Sequence, residues 1–323
     1  MPDYKEKLPL ITIGISCFNA AATIERALHS ARSQDWPNFE VVVVDDGSSD
    51  GSCEILNQIA RVDPRLRVVE LAKNRGCAAA RNALVESARG DFIAFFDDDD
   101  VSGVDRLRLQ HDHIVSYERK SGAHLVICYA SGQRIYPNGY KMPIRAVGAD
   151  GLPPVGHVMA DYLLFNKQYP GVFYGAGTPT CSLMARTALF RDLGGFDIEL
   201  KRQEDIDFAI RIAFKGGHFV GIPESVIVQY ATGGSEKSAL AEFESFLRLL
   251  DKNADYLRAN NSYSYMRIWS EMRYRHFANQ DVRAVLVLAR LMLAHPIRTA
   301  FHFAFSATRR FRHEQRINIS PHG

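Results

Sequence analysis

The segment Phe95-Phe96-Asp97-Asp98-Asp99-Asp100-Val101 joins an apolar run to four consecutive carboxylates. The run begins at Gly90, and its length and composition predict a buried β-strand. Four carboxylates at a strand end repel one another and destabilise the fold unless a positive charge lies among them. At the carboxyl edge of a parallel sheet, where ligands bind, a divalent cation shared with substrate phosphates is the favoured partner. The alternative is a solvated acidic turn in which Asp100 or Asp105 caps the next helix.

Two acidic pairs elsewhere in the chain occupy comparable places, Asp45-Asp46 after a strand and Glu204-Asp205 at a helix start. In a doubly wound sheet, Asp45-Asp46 and the acidic run lie at the same edge, so they can converge on one ligand. A carboxylate there accepts hydrogen bonds from a ribose hydroxyl or a base N–H. Each pair also has a structural explanation, because Asp-Asp-Gly-Ser suits a type I turn and acids suit a helix N-terminus.

The glycine-rich phosphate loops of nucleotide-binding folds are missing from this sequence. After the first strand the chain has Gly14-Ile15-Ser16-Cys17-Phe18-Asn19 in place of Gly-x-Gly-x-x-Gly, and it has no Gly-Lys-Ser/Thr loop. We therefore expect phosphates to be held by a metal rather than by a glycine cradle, in agreement with the acidic run.

Strand-like and helix-like patterns alternate through the N-terminal part of the chain, and such alternation predicts a parallel, doubly wound α/β sheet. Between 131 and 179 the chain is poorly periodic and rich in Gly and Pro, so we expect loops over the sheet edge. Beyond Ser235 the pattern is helical. The predicted strands are 8–16, 39–44, 66–71, 90–96, 125–129, 181–184, 219–222 and 226–230, and the predicted helices of the sheet region are 23–33, 53–61, 78–88, 105–119 and 203–214.

The composition, with 46% hydrophobic and 24% charged residues, is that of a soluble globular protein. The 323 residues suffice for one large α/β domain and a smaller appendage. The net charge of +2 conceals an asymmetry, since the chain from Arg258 onward has eleven arginines and three acids, a local balance of +8. This asymmetry predicts a basic C-terminal surface that suits an anionic partner.

Cysteine usage and hydropathy indicate the compartment. The five cysteines are scattered and lack CxxC spacing, which favours a reducing, cytoplasmic location over a disulfide framework or a zinc site. The polar N-terminus has no signal-peptide core, and no run approaches the ~18 uncharged apolar residues of a transmembrane helix. We expect a cytoplasmic protein, peripheral to the inner face of the plasma membrane if its basic surface binds lipid. The cysteines are Cys17, Cys53, Cys77, Cys128 and Cys181.

An ordered set of motifs gives the chain a family resemblance. The motifs are Ile-Thr-Ile-Gly-Ile-Ser-Cys-Phe-Asn (11–19), Val-Val-Val-Val-Asp-Asp-Gly-Ser-Ser-Asp (41–50), Asn74-Arg75-Gly76, Ala80-Arg81-Asn82, Phe-Phe-Asp-Asp-Asp-Asp (95–100), Gly-Gly-Phe-Asp (194–197) and Glu-Asp-Ile-Asp-Phe (204–208). In this order they resemble family 2 glycosyltransferases of the GT-A fold over about residues 8–235. The resemblance implies an α/β fold with a Rossmann-like, mostly parallel sheet flanked by helices. It also implies a GT-A domain over 1–235, whereas the helical pattern and the arginines beyond Ser235 predict a helical, basic C-terminal extension over 236–323.

The resemblance implies a site for a nucleotide-sugar donor at the carboxyl edge of the sheet. The family's nucleotide contacts fall on Ser16, Phe18 and Asp46, and Asp46 is the residue expected to meet the base. Arg81 falls in the donor-side helix, where it contacts either phosphate or the acidic run. A plain ion pair is an equal alternative for Arg81.

The metal site implied by the resemblance lies in the acidic run. The family's DxD acids fall on Asp97 and Asp99, and Asp99 is the expected direct ligand of Mn²⁺ or Mg²⁺. Asp98, between them, is expected to face the donor sugar or the ribose. A bound divalent cation stabilises the charge that builds up on a departing nucleoside diphosphate.

The family's catalytic base falls on Asp205. A positioned carboxylate takes the proton of an acceptor hydroxyl, which is otherwise a poor nucleophile. Attack opposite the leaving group inverts the anomeric centre. The resemblance therefore implies an inverting glycosyltransferase whose acceptor is a glycan or a lipid-linked glycan of polysaccharide or lipopolysaccharide biosynthesis.

The sequence departs from the family pattern at two positions. Many relatives have Tyr where this chain has Phe18, so a tyrosine hydroxyl contact is absent here. Many also have His shortly after the last core strand, where this chain has residues 231–235, Ala-Thr-Gly-Gly-Ser. Thr232 and His218 are weak substitutes, and a half-exposed surface imidazole is the favoured interpretation of His218.

Two other functions compete with a transferase. A nucleotidyltransferase also uses a metal on paired acids, but it favours a Gly-rich, Lys-bearing loop that this chain lacks. A non-catalytic sugar-nucleotide-binding protein of the same fold is the rival from another class. For the arginine- and aromatic-rich C-terminal extension, the alternatives are an anionic membrane surface, plain packing on the core, and a further partner, among which nucleic acid is not expected.

Overall fold

The computed structural model describes residues 8–231, 239–300 and 302, and these residues form a mixed α/β fold. The strands are β1 (Ile11–Cys17), β2 (Phe39–Asp45), β3 (Leu66–Glu70), β4 (Phe92–Asp97), β5 (Val101–Ser102), β6 (Val126–Ile135), β7 (Lys141–Ile144), β8 (Leu183–Arg186) and β9 (His218–Tyr230). The helices are α1 (Ile24–Arg32), α2 (Ser52–Ala60), α3 (Cys77–Ser87), α4 (Arg106–Ser121), α5 (His157–Phe165), α6 (Thr187–Asp192), α7 (Glu204–Phe214), α8 (Ala239–Lys252), α9 (Ala254–Ala259), α10 (Tyr263–Phe277) and α11 (Asp281–Ala294).

The described strands belong to one sheet with the order β3-β2-β1-β4-β8-β6-β9-β5, and β7 pairs with β6. Strand β1 is parallel to β2 and to β4, and β2 is parallel to β3. The pairs β4–β8, β6–β8 and β5–β9 are antiparallel. The predicted parallel, doubly wound arrangement is thus confirmed for β1–β4, whereas the second half of the sheet follows a different, antiparallel plan.

The parallel half is strongly specified by its sequence. All seven residues of β2 are buried, as expected for a strand that helices cover on both faces. In α1, Ile24, Ala27, Leu28 and Ala31 are buried at the three-and-four spacing that the sequence shows. The predicted helices of this half begin and end within one or two residues of the observed ones, which is the ordinary uncertainty of helix ends.

Two expectations for the second half were wrong. The stretch 131–179 contains the end of β6, strand β7 and helix α5 as well as loops. Helix α5 is apolar on most sides, so it lacks the one-sided periodicity that identifies a surface helix. The two short strands expected after Gly217 form one strand, β9, which is exposed only at Pro223–Ser225. Proline lacks an N–H donor and is tolerated in a strand at such an exposed place.

The chain divides into two compact units. The first consists of residues 8–134, Met142–Glu199 and Glu204–Tyr230. The second contains Ile135–Lys141, Leu200–Gln203 and the described residues from 231 onward, in which α10 packs against α8 and α11. The predicted domain boundary between 235 and 236 lies outside the described residues and stays a prediction. Among the helices that the structure describes, none is both long and apolar enough to cross a bilayer.

A tight turn after β2 presents the Asp45-Asp46 pair. The amide N–H of Ser48 donates to Oδ2 of Asp45 at 3.1 Å, so the first aspartate closes the turn. Gly47 adopts a φ of +72°, and a Cβ atom there would lie 2.7 Å from the carbonyl carbon of Lys73. Gly47 is therefore required both by its backbone conformation and by the close approach of the 73–76 loop.

Replacing Gly47 by Ala is expected to destabilise the protein by two effects. A left-handed conformation costs Ala about 1–2 kcal/mol, and the clash with Lys73 adds about 1–3 kcal/mol. Gly51 is a matched control, since its φ is +94° but a Cβ atom added there would have nothing within 4 Å of it. Denaturant unfolding of Gly47→Ala and Gly51→Ala separates the clash from the backbone cost. Equal losses of stability in the two variants would show that the 73–76 loop does not constrain this turn.

Candidate active site

The ends of three parallel strands bring the predicted donor-site residues to one edge of the sheet. Ser16 is in register with Val44 of β2 and with Asp97 of β4. Cys17 is likewise in register with Asp45, directly before Asp46. The sheet therefore places residues from three sequence motifs side by side at its carboxyl edge, as expected for a doubly wound fold.

Two aspartates tie the loops at this edge together through backbone hydrogen bonds. The buried carboxylate of Asp46 accepts the N–H groups of Arg75 and Gly76, each at 2.8 Å. Oδ2 of Asp98 accepts the N–H of Phe18 at 3.0 Å. Both carboxylates thus have a structural role in the free protein, and their predicted contacts with nucleotide and sugar stay predictions.

The acidic strand end contains closely spaced groups, of which Asp97 is half-buried and Asp100 and Cys181 are buried. One ligand atom from each of Asp97, Asp100 and Cys181 lies within 4.8 Å of the others. Oδ1 of Asp100 accepts the N–H of Tyr230 at 3.1 Å, and Nε2 of Gln229 donates to the Cys181 sulfur at 2.8 Å. We call Asp97, Asp100 and Cys181 the strand-end cluster.

Burial makes it difficult to ionise the carboxyl groups at this place. Burial is the main reason why the pKa of Asp98 is raised to about 7 and that of Asp100 to about 8, and the neighbouring carboxylates contribute to both values. The pKa of Asp97 is raised for the same first reason, although Arg81 opposes the rise. The protein alone therefore supplies less positive charge than these acids need when they are all ionised.

Arg106 supplies part of this positive charge, since its guanidinium interacts electrostatically with Asp97 and Asp100. Its side chain is almost completely buried, with 1% of the residue exposed. The guanidinium donates to the carbonyl of Phe95 at 2.8 Å, to Oγ of Ser102 at 2.9 Å and to Oε1 of Gln110 at 3.0 Å. Burial lowers the pKa of Arg106 to about 10, so the group stays protonated at neutral pH.

A second buried arginine connects the strand-end cluster to α7. Nη1 of Arg81 donates to Oε1 of Glu204 at 2.6 Å, and both side chains are buried. Burial disfavours the charge of Arg81, but the surrounding acidic groups, including Asp97 and Asp205, outweigh it and raise its pKa. Burial raises the pKa of Asp205 to about 6; Glu204 adds to the rise and Arg81 opposes it. Arg81 thus forms an ion pair with Glu204, and its predicted contact with phosphate stays a prediction.

An aromatic cluster positions the start of α7. The rings of Phe190 and Phe208 stack at 4.9 Å between centroids, and Phe196 packs against Phe208 at 4.8 Å. The side-chain amide of Asn82 donates to the carbonyl of Phe196 at 2.8 Å and accepts its N–H at 2.7 Å. A Cβ atom on Gly195, which has a φ of +70°, would lie 2.3 Å from Oδ1 of Asn82. The Gly-Gly-Phe-Asp motif therefore docks α7 onto α3.

The other candidates lie as follows. Asp99 is half-buried; its carbonyl accepts a hydrogen bond from Nη2 of Arg26 at 2.5 Å, and it is not a member of the strand-end cluster. His218 is half-buried and pairs through Nδ1 with the hydroxyl of Tyr117 at 2.9 Å, as a structural imidazole does. Thr232 lies outside the described residues. The assignments of Asp99 to the metal and of Asp205 to the base stay predictions.

Sequence reasoning missed three contributors, Arg106, Glu204 as a partner of Arg81, and Cys181. An arginine at the start of the helix after the acidic run was the available signal for Arg106, because four carboxylates require a nearby positive charge. No signal joined Cys181 to Asp97 and Asp100, since β8 pairs with β4 across a long sequence separation.

The comparison with known protein families shows to which family the chain belongs. A family model described as "Glycosyl transferase family 2" matches residues 12–188, more than half of the chain. The chain belongs to glycosyl transferase family 2. The resemblance recognised in its motifs is thereby confirmed, and the matched range covers the predicted donor-site residues.

Solved structures support the GT-A fold for this family member. The chain is similar to S. aureus TarS 1-349 in complex with UDP-GlcNAc, with a TM-score of 0.60 and 20% identity over 90% of this chain and 82% of that chain. It is also similar to the mannosyltransferase PcManGT from Pyrobaculum calidifontis in complex with GDP-Man and Mn²⁺, with a TM-score of 0.54 and 19% identity over 94% of this chain and 81% of that chain. At these identities the likeness shows the fold alone.

A relative with higher identity covers a shorter segment. Succinoglycan biosynthesis protein ExoO of Rhizobium meliloti (strain 1021) is 44% identical over 107 residues, which are 33% of this chain and 30% of ExoO. The chain spans between 30% and 41% of the length of three bacterial family members that it matches.

The raised pKa of Asp100 gives a pH dependence of stability with a defined sign. The pKa of its carboxyl is about 8 in the folded protein and ordinarily 3.8. Between these values the unfolded chain has released a proton that the folded protein retains, so stability falls as pH rises through this window. Asn keeps an oxygen for the Tyr230 N–H but carries no charge. Asp100→Asn should therefore raise the Tm at pH 8 by about 3 °C or more.

The measurement is calorimetry at pH 4 and pH 8 in the absence of divalent cations. The difference in Tm between the variant and the wild type should be much smaller at pH 4, where the carboxyl is protonated in the folded protein and about half protonated in the unfolded chain. Asp192→Asn, which removes an exposed acid of the same unit, is the control and should leave the pH dependence unchanged. A Tm of Asp100→Asn that follows the wild type at both pH values would contradict the buried, protonated carboxyl.

Proposed function

We propose that the protein is a metal-dependent, inverting glycosyltransferase that moves a sugar from a nucleotide-diphosphate donor to a hydroxyl of a glycan or lipid-linked acceptor. The observation that carries the proposal is the position of Arg81, whose charged neighbours include both Asp97 of the strand-end cluster and Asp205 at the start of α7. The buried guanidinium of Arg81, which pairs with Glu204 at 2.6 Å, therefore interacts electrostatically with both the group expected at the donor phosphates and the group expected at the acceptor.

The donor is proposed to bind at the carboxyl edge of β1, β2 and β4. The proposed contacts are Ser16, Phe18, Asp46, Arg81, Asp97 and Asp98. Support comes from family membership and from the ligands named for two similar structures, UDP-GlcNAc in TarS and GDP-Man in PcManGT. The nucleotide base and the sugar of this protein's own donor are not specified by that support.

The carboxylate oxygens at the strand end are suitable ligands for a hard divalent cation. Buried carboxylates with raised pKa values accept a cation readily, and oxygen ligands suit Mn²⁺ and Mg²⁺. We assign the metal to Asp97 and Asp99; the carboxylate of Asp100 lies beside Asp97. When bound, such a cation neutralises charge on the diphosphate leaving group. PcManGT, which has this fold, is a complex with Mn²⁺.

Asp205 is proposed as the general base. Its carboxyl, with a pKa of about 6, is mostly ionised at neutral pH and retains enough basicity to accept a proton. The Arg81–Glu204 ion pair and the aromatic cluster fix the helix start that carries it. Proton transfer from the acceptor hydroxyl to Asp205 creates the nucleophile, which attacks the anomeric carbon opposite the leaving diphosphate.

The acceptor is proposed to be a growing polysaccharide or lipopolysaccharide at the inner face of the plasma membrane, with the protein in the cytoplasm. ExoO is named for succinoglycan biosynthesis, and this name supports an acceptor of the glycan class.

Two other functions compete with a glycosyltransferase, namely a non-catalytic sugar-nucleotide-binding protein and a nucleotidyltransferase. Transfer of sugar from a nucleotide-sugar donor to a glycan acceptor would exclude both.

The metal assignment is tested by Asp99→Ala. Titration calorimetry with a panel of nucleoside diphosphates, with and without Mn²⁺, should show manganese-dependent affinity in the wild type and none in Asp99→Ala. Cys181→Ser is the matched variant and should keep that affinity, because Mn²⁺ prefers oxygen to thiolate ligands. Manganese-dependent affinity that is unchanged in Asp99→Ala would remove Asp99 from the metal site.

The base assignment is tested by Asp205→Asn, which keeps the shape of the side chain and removes its proton acceptor. Donor affinity should survive, while the transfer rate should fall by ~10²-fold or more. The wild-type rate should also fall as pH decreases through about 6, since the base then becomes protonated. This acid limb should be absent from the residual activity of the variant. A variant with a near wild-type rate would assign the base to another group.

A further inference from the structure

The surface of α11 is unusually apolar for an exposed helix. Six of the thirteen exposed large hydrophobic side chains among the described residues lie between 282 and 297. Their exposed fractions range from 40% to 87%. They are Val282, Val285, Leu286, Met292, Leu293 and Ile297, which we call the α11 face. Nearly half of the exposed large hydrophobic side chains of the described residues thus lie within one stretch of sixteen residues.

The α11 face is separate from the side of the helix that packs on the protein. At 100° per residue, the five members within α11 fall in an arc of about 120°. Ala284 and Leu291, which are buried, lie on the opposite side, where α11 packs against α10. The helix therefore has one side that packs on α10 and one apolar side that is largely exposed.

In the neighbouring helix α10, three arginines pair with carboxylates. In α10, Arg267 pairs with Asp251, Arg273 pairs with Glu242 at 3.6 Å, and Arg275 pairs with Glu271 at 3.4 Å. For these arginines plain packing within the helical unit is the appropriate description. Of the basic C-terminal surface that the sequence predicts, the part that remains a candidate interface is therefore α11 and the chain that follows it.

Charge selects among the occupants of the α11 face. Arg283 and Arg290 are exposed at one border of the face and pair with no carboxylate of the described residues. In sequence, residues 282–323 contain seven arginines and a single acid, Glu314. A second copy of this chain would bring arginines against arginines, whereas anionic headgroups complement them.

Size also argues against a second copy. The face extends over sixteen residues, or roughly 24 Å, at a width of about 10 Å, an area of about 240 Å². A stable protein interface buries about 800 Å² on each partner. The fourteen residues of α11 span about 21 Å, which is shorter than the ~30 Å hydrocarbon core, so the helix is suited to lie in the membrane plane.

We propose that the α11 face is the membrane-binding surface of this protein, with its apolar side chains at the headgroup–acyl boundary of an anionic bilayer and Arg283 and Arg290 at the phosphates. This inference specifies which surface binds the membrane that the proposed function includes as a partner. It rests on the proposed function only for the biological purpose of that binding. Apolar burial and electrostatic attraction act together in such helices, so each should be separately measurable.

The experiment is co-sedimentation of the full-length protein with phosphatidylcholine vesicles, with and without phosphatidylglycerol. The wild type should pellet with the anionic vesicles, and the binding should weaken as salt rises. Val285→Ser/Leu286→Ser/Leu293→Ser should weaken it at least about tenfold through lost apolar burial. Arg283→Gln/Arg290→Gln should weaken binding to anionic vesicles only, by about tenfold.

A matched control isolates the surface. Val62→Ser/Val104→Ser/Ile198→Ser removes three exposed apolar side chains of the other unit and should pellet like the wild type. Nucleoside diphosphate binding, measured on the same samples, shows that each variant is folded. It also tests the proposed function separately, since donor binding without vesicle binding refutes the α11 face alone.

Three outcomes would overturn the inference. Wild type that does not pellet with anionic vesicles, or a triple α11 variant that pellets equally well, would refute a lipid-binding face. Sedimentation velocity that shows a dimer in the wild type and a monomer in the triple variant, with no vesicle binding, would assign the face to a second copy. A C-terminal segment after 302 that proteases cleave only in the triple variant, again without vesicle binding, would assign the face to that segment.

Discussion

The buried, positively charged side chain of Arg106 near the acidic strand end is the constraint on which this fold depends. Arg106, the first residue of α4, is a buried positive charge that interacts electrostatically with Asp97 and Asp100. Its hydrogen bonds to Phe95, Ser102 and Gln110 join β4, β5 and α4 at one point. Gln110 in turn donates to the carbonyls of Cys128 and Ser182. Loss of one partner from such a buried charge network is strongly destabilising, so the core and the site cannot be altered independently.

The site keeps an excess of acid that the protein does not itself neutralise. Arg106 and Arg81 are the buried arginines near Asp97, yet the pKa values of Asp97, Asp98 and Asp100 remain raised. Functional sites often carry interactions that cost stability, because the same charges that destabilise the free protein bind the ligand. Here the cost is electrostatic, and a cation bound at this place would reduce it.

The sequence was most informative where structure is local. The valine run of β2 and the apolar stripe of α1 predicted the parallel half of the sheet well. The antiparallel half was less accessible, because β8 has only four residues and its pairing with β4 and β6 is decided by distant parts of the chain. Helix α5 was missed because it is apolar on most sides. Charge repulsion alone identified the acidic run as a site, whereas the roles of Asp99 and Asp205 came from family resemblance.

The order of strands in the sheet also has a consequence for synthesis on the ribosome. Strands β1–β4 are contiguous in sequence and mutually paired, so they can assemble as soon as Asp97 has emerged. Strand β4 must then wait for its second neighbour until Leu183–Arg186 has been translated, about ten seconds later at ordinary elongation rates. During that interval the apolar Phe92–Asp97 strand has a bare edge, which is a template for pairing with other chains. The nascent protein therefore has a period of vulnerability to aggregation that the finished sheet no longer shows.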